Sequence, residues 1–391
     1  MLVPAALAGL LGPPAAAAAP FVPQRDSDVV ETLPSGSGDR GLRVLRVLLA
    51  RSPDDLPLAL QAARRFIDRA RLDGDPRYLG YAQAALGRHW AGDDPRVLLL
   101  RATILQSRHE FDAALAELGR ALARAPDDAQ AWLTRATIEQ VQGRYDQARA
   151  SCARLEPLAP GLIAAACDAA VRGLTGQAPE AYRSLRAALD AQPGPVARGT
   201  RGWVETLLAE LAERIGMAEQ AERHYRDVLA SAPDPYARAA YADFLLDAGR
   251  PREALEALGA AGEPGRLPTR DEVLRLPDGL LLRAALAQRA MGERGAAATA
   301  AAMRERFEAA RLRGDASHGR EEARFALDVE GDAARAADRA EQNWGSQREP
   351  ADARIALRAA AAAGRTELAA RVRRFVREAG LQDVRLARPP A

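Results

Sequence analysis

The strongest constraint on this chain is a stretch that repeats itself without a gap. Residues 98–126, LLLRATILQSRHEFDAALAELGRALARAP, are followed by a second copy of the same plan ending at Pro160. Leu98 matches Trp132, Ala102 matches Ala136, Phe111 matches Tyr145, Ala114 matches Ala148 and Pro126 matches Pro160, each pair 34 residues apart. Such a unit predicts two antiparallel helices. The alanines let paired helices approach closely, and the large residues fill the space between them. Gly143 permits the turn, and Pro126 and Pro160 stop the second helix. One unit cannot bury its own apolar face, so units of this kind must stack.

In period and in large/small pattern the segment resembles the tetratricopeptide repeat (TPR). The resemblance implies an all-α protein, a right-handed α-solenoid of stacked helix pairs whose first helices line a concave groove. The small residue of each second helix continues as Ala114, Ala148, Ala181, Ala221 and Ala254, at intervals of 34, 33, 40 and 33. The long interval holds QPGPVARGTRGW, expected as a loop. The resulting division is a signal peptide at 1–19, a linker and capping helix at 20–50 and a degenerate pair at 51–93. The core array follows at 94–261, then degenerate pairs at 262–380 and a tail at 381–391. The capping helix is expected near Leu42–Ala50. Gly292, Gly331 and Gly364 punctuate the later pairs, and Trp344 is expected to pack between units.

Composition excludes several chemistries. The chain has 55 basic residues against 53 acidic ones, interspersed, for a net charge of +2. No basic block points to nucleic acid. Every basic residue is Arg, so a P-loop, a Schiff-base enzyme and a kinase-type clamp each lack a required Lys. His89, His109, His224 and His318 are scattered, with no metal-ligand spacing, and Gly36–Asp39 lacks the strand and helix of a nucleophile elbow. No cofactor motif, metal site or catalytic residue is predicted, and the chain is read as a non-enzyme. Arg313, Gly314 and Asp315 are read as a helix boundary rather than an adhesion motif, and Ser317 and His318 as part of the next helix start.

The first 24 residues carry no charge and run through LVPAALAGLL to GPPAAAAAP, with several A-x-A cleavage choices. This predicts export to the periplasm or beyond, although the usual positive n-region is missing and Pro20 hinders cleavage after Ala19. The prolines argue against a stable membrane span. Cys152 and Cys167 fall on consecutive helices, where a disulfide and two buried free thiols both fit.

The groove positions that the resemblance implies are Leu99, Thr103 and Gln106 in one unit and Leu133, Thr137 and Gln140 in the next. The shared strings RATILQ and RATIEQ place a Thr and a Gln about one turn apart twice, groups suited to gripping a peptide backbone. Arg101 and Arg135 either join the groove or pair with neighbouring acids. Glu210, Glu213, Asp243 and Asp247 predict an acidic half suited to a ligand with a basic segment. The expected function is a protein- or peptide-binding scaffold in the cell envelope. The chain is also similar to bacterial TPR proteins found alongside HupE/UreJ-like membrane proteins, which implies an envelope membrane protein as partner. The alternative is a cytoplasmic small-molecule sensor or regulator acting through a separate effector protein.

Overall fold

The computed structural model describes Arg25 and residues 40–159, 161–231, 234–259, 265–312 and 319–386. The expected signal peptide at 1–19, Pro160, Arg313, Gly314, Asp315, Ser317, His318 and the end of the tail lie outside the described residues.

Among the described residues every regular element is helical. A first helix, α1 (Arg40–Arg51), lies on α2 (Leu56–Asp73), which pairs with α3 (Arg77–Leu86). Five regular pairs follow: α4 (Pro95–Ser107) with α5 (Phe111–Arg124), α6 (Ala129–Val141) with α7 (Tyr145–Ala153), α8 (Leu162–Arg172) with α9 (Ala178–Asp190), α10 (Arg198–Arg214) with α11 (Ala218–Ser231), and α12 (Pro235–Asp247) with α13 (Pro251–Leu258). A short α14 (Arg270–Leu274) leads into α15 (Asp278–Ala290) with α16 (Ala296–Leu312), α17 (Gly319–Phe325) with α18 (Ala333–Trp344), and α19 (Pro350–Ala363) with α20 (Thr366–Ala379). The architecture is an α-solenoid.

Local chemistry sets these boundaries. Asp94 and Asp234 cap α4 and α12 by accepting backbone N–H bonds from Arg96 and Ala237, and each is followed by a proline suited to the first turn. Asp55 and Asp128 do the same for α2 and α6. Between the helices of the third unit the chain turns at Gly143, φ +73°. His109 holds the matching position one unit earlier at φ +60°, a conformation that L side chains adopt at some cost.

The alanine ladder is the packing core of the array. Ala102, Ala114, Ala136, Ala148, Ala181, Ala221 and Ala254 are all fully buried, with Leu98, Ile104, Leu118 and Ile138 beside them. Cys152 and Cys167 are joined in a disulfide, Cα atoms 5.5 Å apart, tying α7 to α8 inside a cluster with Leu155 and Val171. Trp344 is buried and meets Phe375 edge-on, ring centroids 5.3 Å apart.

Two local expectations change. The insertion QPGPVARGTRGW is a loop only through Ala197, and from Arg198 it forms the start of α10, which reaches 17 residues. Pro193 and Pro195 forbid helix up to that point, and nothing after them does. In the stretch expected to open the degenerate pairs after residue 262, the first paired helix begins only at Asp278, because Thr269 and Glu272 close a capping box around the separate turn of α14.

Candidate partner-binding groove

The positions expected to line the groove fall into two sets that meet different surroundings. In α4 and α6 the repeated RAT string produces repeated geometry. The Thr103 hydroxyl donates to the Leu99 carbonyl and the Thr137 hydroxyl to the Leu133 carbonyl, both at 2.9 Å, each four residues back on its own helix. Leu99 is buried, while Thr103, Gln106, Leu133, Thr137 and Gln140 are half-buried. Both arginines are engaged within the fold. Arg101 donates to the Trp90 carbonyl and to Glu117, each at 2.8 Å, and lies over the Trp90 ring. Arg135 donates to Glu139 at 2.9 Å and lies over Trp132. Glu139 is buried and also accepts from Ser151 at 2.6 Å.

The second set, on α10 and α12, is met by the chain's own C-terminal third. Asp243 is held by Arg283 at 2.7 Å and by Arg324, and Asp247 by Arg354 at 2.7 and 3.0 Å. Glu213 pairs with Arg385 and accepts from the Tyr225 hydroxyl at 3.1 Å. Glu210 accepts from Tyr236 at 2.5 Å. The basic segment that Glu213, Asp243 and Asp247 called for is therefore supplied internally, by α15, α17, α19 and the residues after α20, while Glu210 is met from α12 and from Arg214 of its own helix. Burial works against charge on Asp243, but Arg283 and Arg324 outweigh it and hold its carboxyl well below the usual range. At Glu213 burial wins over Arg385 and pushes the carboxyl up.

These contacts arise because the array closes on itself. The Arg348 N–H donates to the Val141 carbonyl at 2.7 Å, and Gln347 reaches His109 at 3.1 Å. The Val384 N–H donates to the Arg214 carbonyl at 2.9 Å, and Leu381 is buried against α8. Phe375 sits so close over Gly143 that a Cβ there would meet its ring at 2.7 Å. At the other end of the array, Gly74, which ends α2, lies against Pro277 just before α15.

The closure leaves a partly open cavity of about 390 Å³ lined by arginines and carboxylates together with prolines, alanines and Tyr236. Arg358 continues the network by holding Asp328 at 2.6 Å, and Arg320 lies 3.1 Å from Glu349. Arg214, on the same wall, is buried and, more than Arg320 with its single unbonded Nε, lacks partners. Its Nε and Nη1 have no hydrogen-bond partner, and its nearest carboxylate, Glu210, is 3.4 Å away. The cavity arginines were not singled out from the sequence. Their one local signal is the spacing of Arg320 with Arg324 and of Arg354 with Arg358, which puts each pair on a single helix face.

His224 is a satisfied core residue, with Nδ1 2.7 Å from Glu205 and Nε2 3.2 Å from the Tyr182 hydroxyl. Among the described residues no group of three or more His, Cys, Asp or Glu side chains is arranged to hold a metal ion, and no helix is long and apolar enough to cross a membrane.

The fold is that of TPR solenoids. The chain is similar to a crystal structure of the APC/C hetero-tetramer Cut9–Hcn1, with TM-score 0.54 and 13% identity over 88% of this chain and 63% of that one. A thermophilic TPR protein of Thermus thermophilus matches 48% of this chain and 97% of its own, at 21% identity and TM-score 0.38. PilW, a type IV pilus biogenesis factor, matches 55% and 94%, at 19% identity and TM-score 0.40. No family model and no curated protein matches the sequence. A TPR-type repeat scaffold is a fold suited to protein interaction.

Proposed function

We propose that this chain is a non-catalytic scaffold that binds a protein or peptide partner on the inner face of α4 and α6, in the bacterial cell envelope, as an assembly or accessory factor. One observation carries the choice of surface. The α10 and α12 face is filled by the chain's own arginines, whereas Thr103, Gln106, Thr137 and Gln140 stay half exposed and repeat the same geometry one unit apart. Hydrogen bonds from the C-terminal third land along one edge of this face, at His109 just after α4 and at Val141 at the end of α6. An extended segment of partner chain fits such a strip, with side-chain amides meeting its backbone.

Two features support the envelope location. The uncharged, small-residue leader reads as an export signal, and the bridging distance of Cys152 and Cys167 suits an oxidising compartment. A membrane protein of the HupE/UreJ kind is the partner that the sequence resemblance suggests.

The test compares the parent with a Gln106→Arg, Gln140→Arg variant, each carrying a C-terminal tag and expressed at native level. The parent is expected in the periplasmic fraction, with an amino terminus between about Ala16 and Phe21, and crosslinked to one reproducible protein that the variant loses. An intact Met1 in the cytoplasm would remove the envelope role. A partner retained by the variant would move binding off α4 and α6. The cavity favours a second reading, a small-molecule sensor, since its volume of about 390 Å³ lies within the range of ligand pockets. That reading gains if a charged metabolite raises the melting temperature and the gain is lost in Arg320→Ala.

A further inference from the structure

The amino-terminal end of the solenoid breaks the rule that a capping helix turns a polar face outward. Leu42, Leu45 and Leu49 of α1 pack toward α2, as a cap requires. On the opposite side Val44, Val47 and Leu48 are 51%, 52% and 44% exposed. They are interleaved with Arg40, Arg43 and Arg51, and α1 contains no acidic residue. Arg46 lies over the ring of Tyr81, itself 39% exposed, and so extends the basic, apolar surface onto α3. Residues 40–73 hold eight arginines and four aspartates, so this end alone exceeds the net charge of +2 of the whole chain. Asp54, in the turn after α1, is paired with Arg88 at 3.0 Å.

We propose that the outer face of α1 docks on an anionic phospholipid surface. Aliphatic side chains at the middle of a short helix, with arginines on both flanks and no acid, match the requirements of an interfacial helix. The aliphatic groups enter the boundary between headgroups and acyl chains while the guanidinium groups stay among the phosphates. A second copy of the chain is the wrong occupant, because a two-fold contact through this face sets arginine against arginine. A protein partner would have to present an uninterrupted acidic surface shaped to a ridge of arginines and aliphatic side chains. A membrane leaflet presents uniform negative charge without being shaped to the ridge. Because α1 does not contribute to the groove, lipid docking here does not depend on what the groove binds.

The full chain would be sedimented with vesicles of phosphatidylcholine, with and without phosphatidylglycerol, alongside a full-length Arg43→Glu, Arg51→Glu double variant and a full-length Val47→Ser variant. Binding is expected only to the phosphatidylglycerol vesicles and to weaken with added salt. The double charge reversal should lower it by more than about tenfold, and Val47→Ser by a smaller factor. All of these side chains face outward, so circular dichroism melting curves of the variants should overlay the parent's. Equal binding to neutral vesicles, or undiminished binding by the double variant, would overturn the proposal; the second result would assign membrane contact to another segment. No vesicle binding, with a salt-sensitive dimer or acidic protein partner that the double variant loses, would overturn it in favour of a protein interface.

Discussion

The inner faces of α4 with α6 and of α10 with α12 are the same face of the same repeat, yet they are built in opposite ways. On the first, polar side chains are satisfied locally: each Thr hydroxyl bonds four residues back, Arg135 finds Glu139 one turn on, and Arg101 finds Glu117 on the next helix. On the second, satisfaction comes from far along the chain. Asp243 is held from 40 and 81 residues away, Asp247 from 107 and Glu213 from 172. These first-helix positions of the solenoid are thus not one uniform surface. Where the array curls back, the groove becomes an interior, and its charged groups become ties that hold the curl.

The largest expected break in that comparison is Asp243→Ala. It leaves Arg283 and Arg324 in a buried setting without their shared carboxylate, and should cost about 3 kcal/mol in urea unfolding. The same carboxylate sets an acid limit. Its folded pKa is depressed below the unfolded value of about 3.9, so its stabilisation is full above about pH 5 and is lost as pH falls through the unfolded value towards the lower folded one. Asp243→Asn should flatten this part of the stability profile. An unchanged acid slope would mean that the Asp243 cluster does not hold the curl.

Much of the fold could be read from the chain, and little of the closure. The 34-residue period, the alanine ladder and Gly143 specify helix pairs because they act within one unit or between neighbours. They also indicate which residues face inward, and so pointed to Glu210, Glu213, Asp243 and Asp247. What lies opposite them depends on how many units complete a turn, and that is set by small rotations added over successive pairs. No local pattern encodes that sum. The paired spacings Arg320/Arg324 and Arg354/Arg358 place two arginines on one helix face each, a signal that does not name the acids they meet. Nor does α1 declare itself: its inner leucines identify a cap, while the meaning of Val44, Val47 and Leu48 rests on their being left uncovered.

Arg214 sharpens the comparison from within the cavity wall. It is more buried than Arg320, Arg324, Arg354 and Arg385 around it and has two donor nitrogens without partners, so its desolvation is poorly offset. Arg214→Met keeps much of the aliphatic volume and removes the charge. It should change stability by less than about 1 kcal/mol, or raise it, whereas Arg324→Met should lower it clearly. If the two variants fell equally, the wall would be acting through its total charge rather than through defined pairs.

The smallest effect on folding, and the most informative for function, is expected from Thr137→Val. The Thr137 hydroxyl donates to a carbonyl of its own helix. A hydrogen bond of that kind adds little to helix stability, and Val has almost the same shape. Unfolding should therefore shift by no more than about 0.5 kcal/mol. A partner strand lying along α4 and α6 changes the balance, because the same hydroxyl also has lone pairs that can accept a backbone N–H. Once the partner is in hand, its affinity for Thr137→Val should fall by about fivefold, the equivalent of one lost neutral hydrogen bond, and Thr103→Val should behave alike. A loss at both positions with unfolding unmoved would separate a binding face from a structural one. Equal, undiminished affinity in both variants would leave the two hydroxyls as parts of their own helices and shift the search for the contact to Gln106 and Gln140.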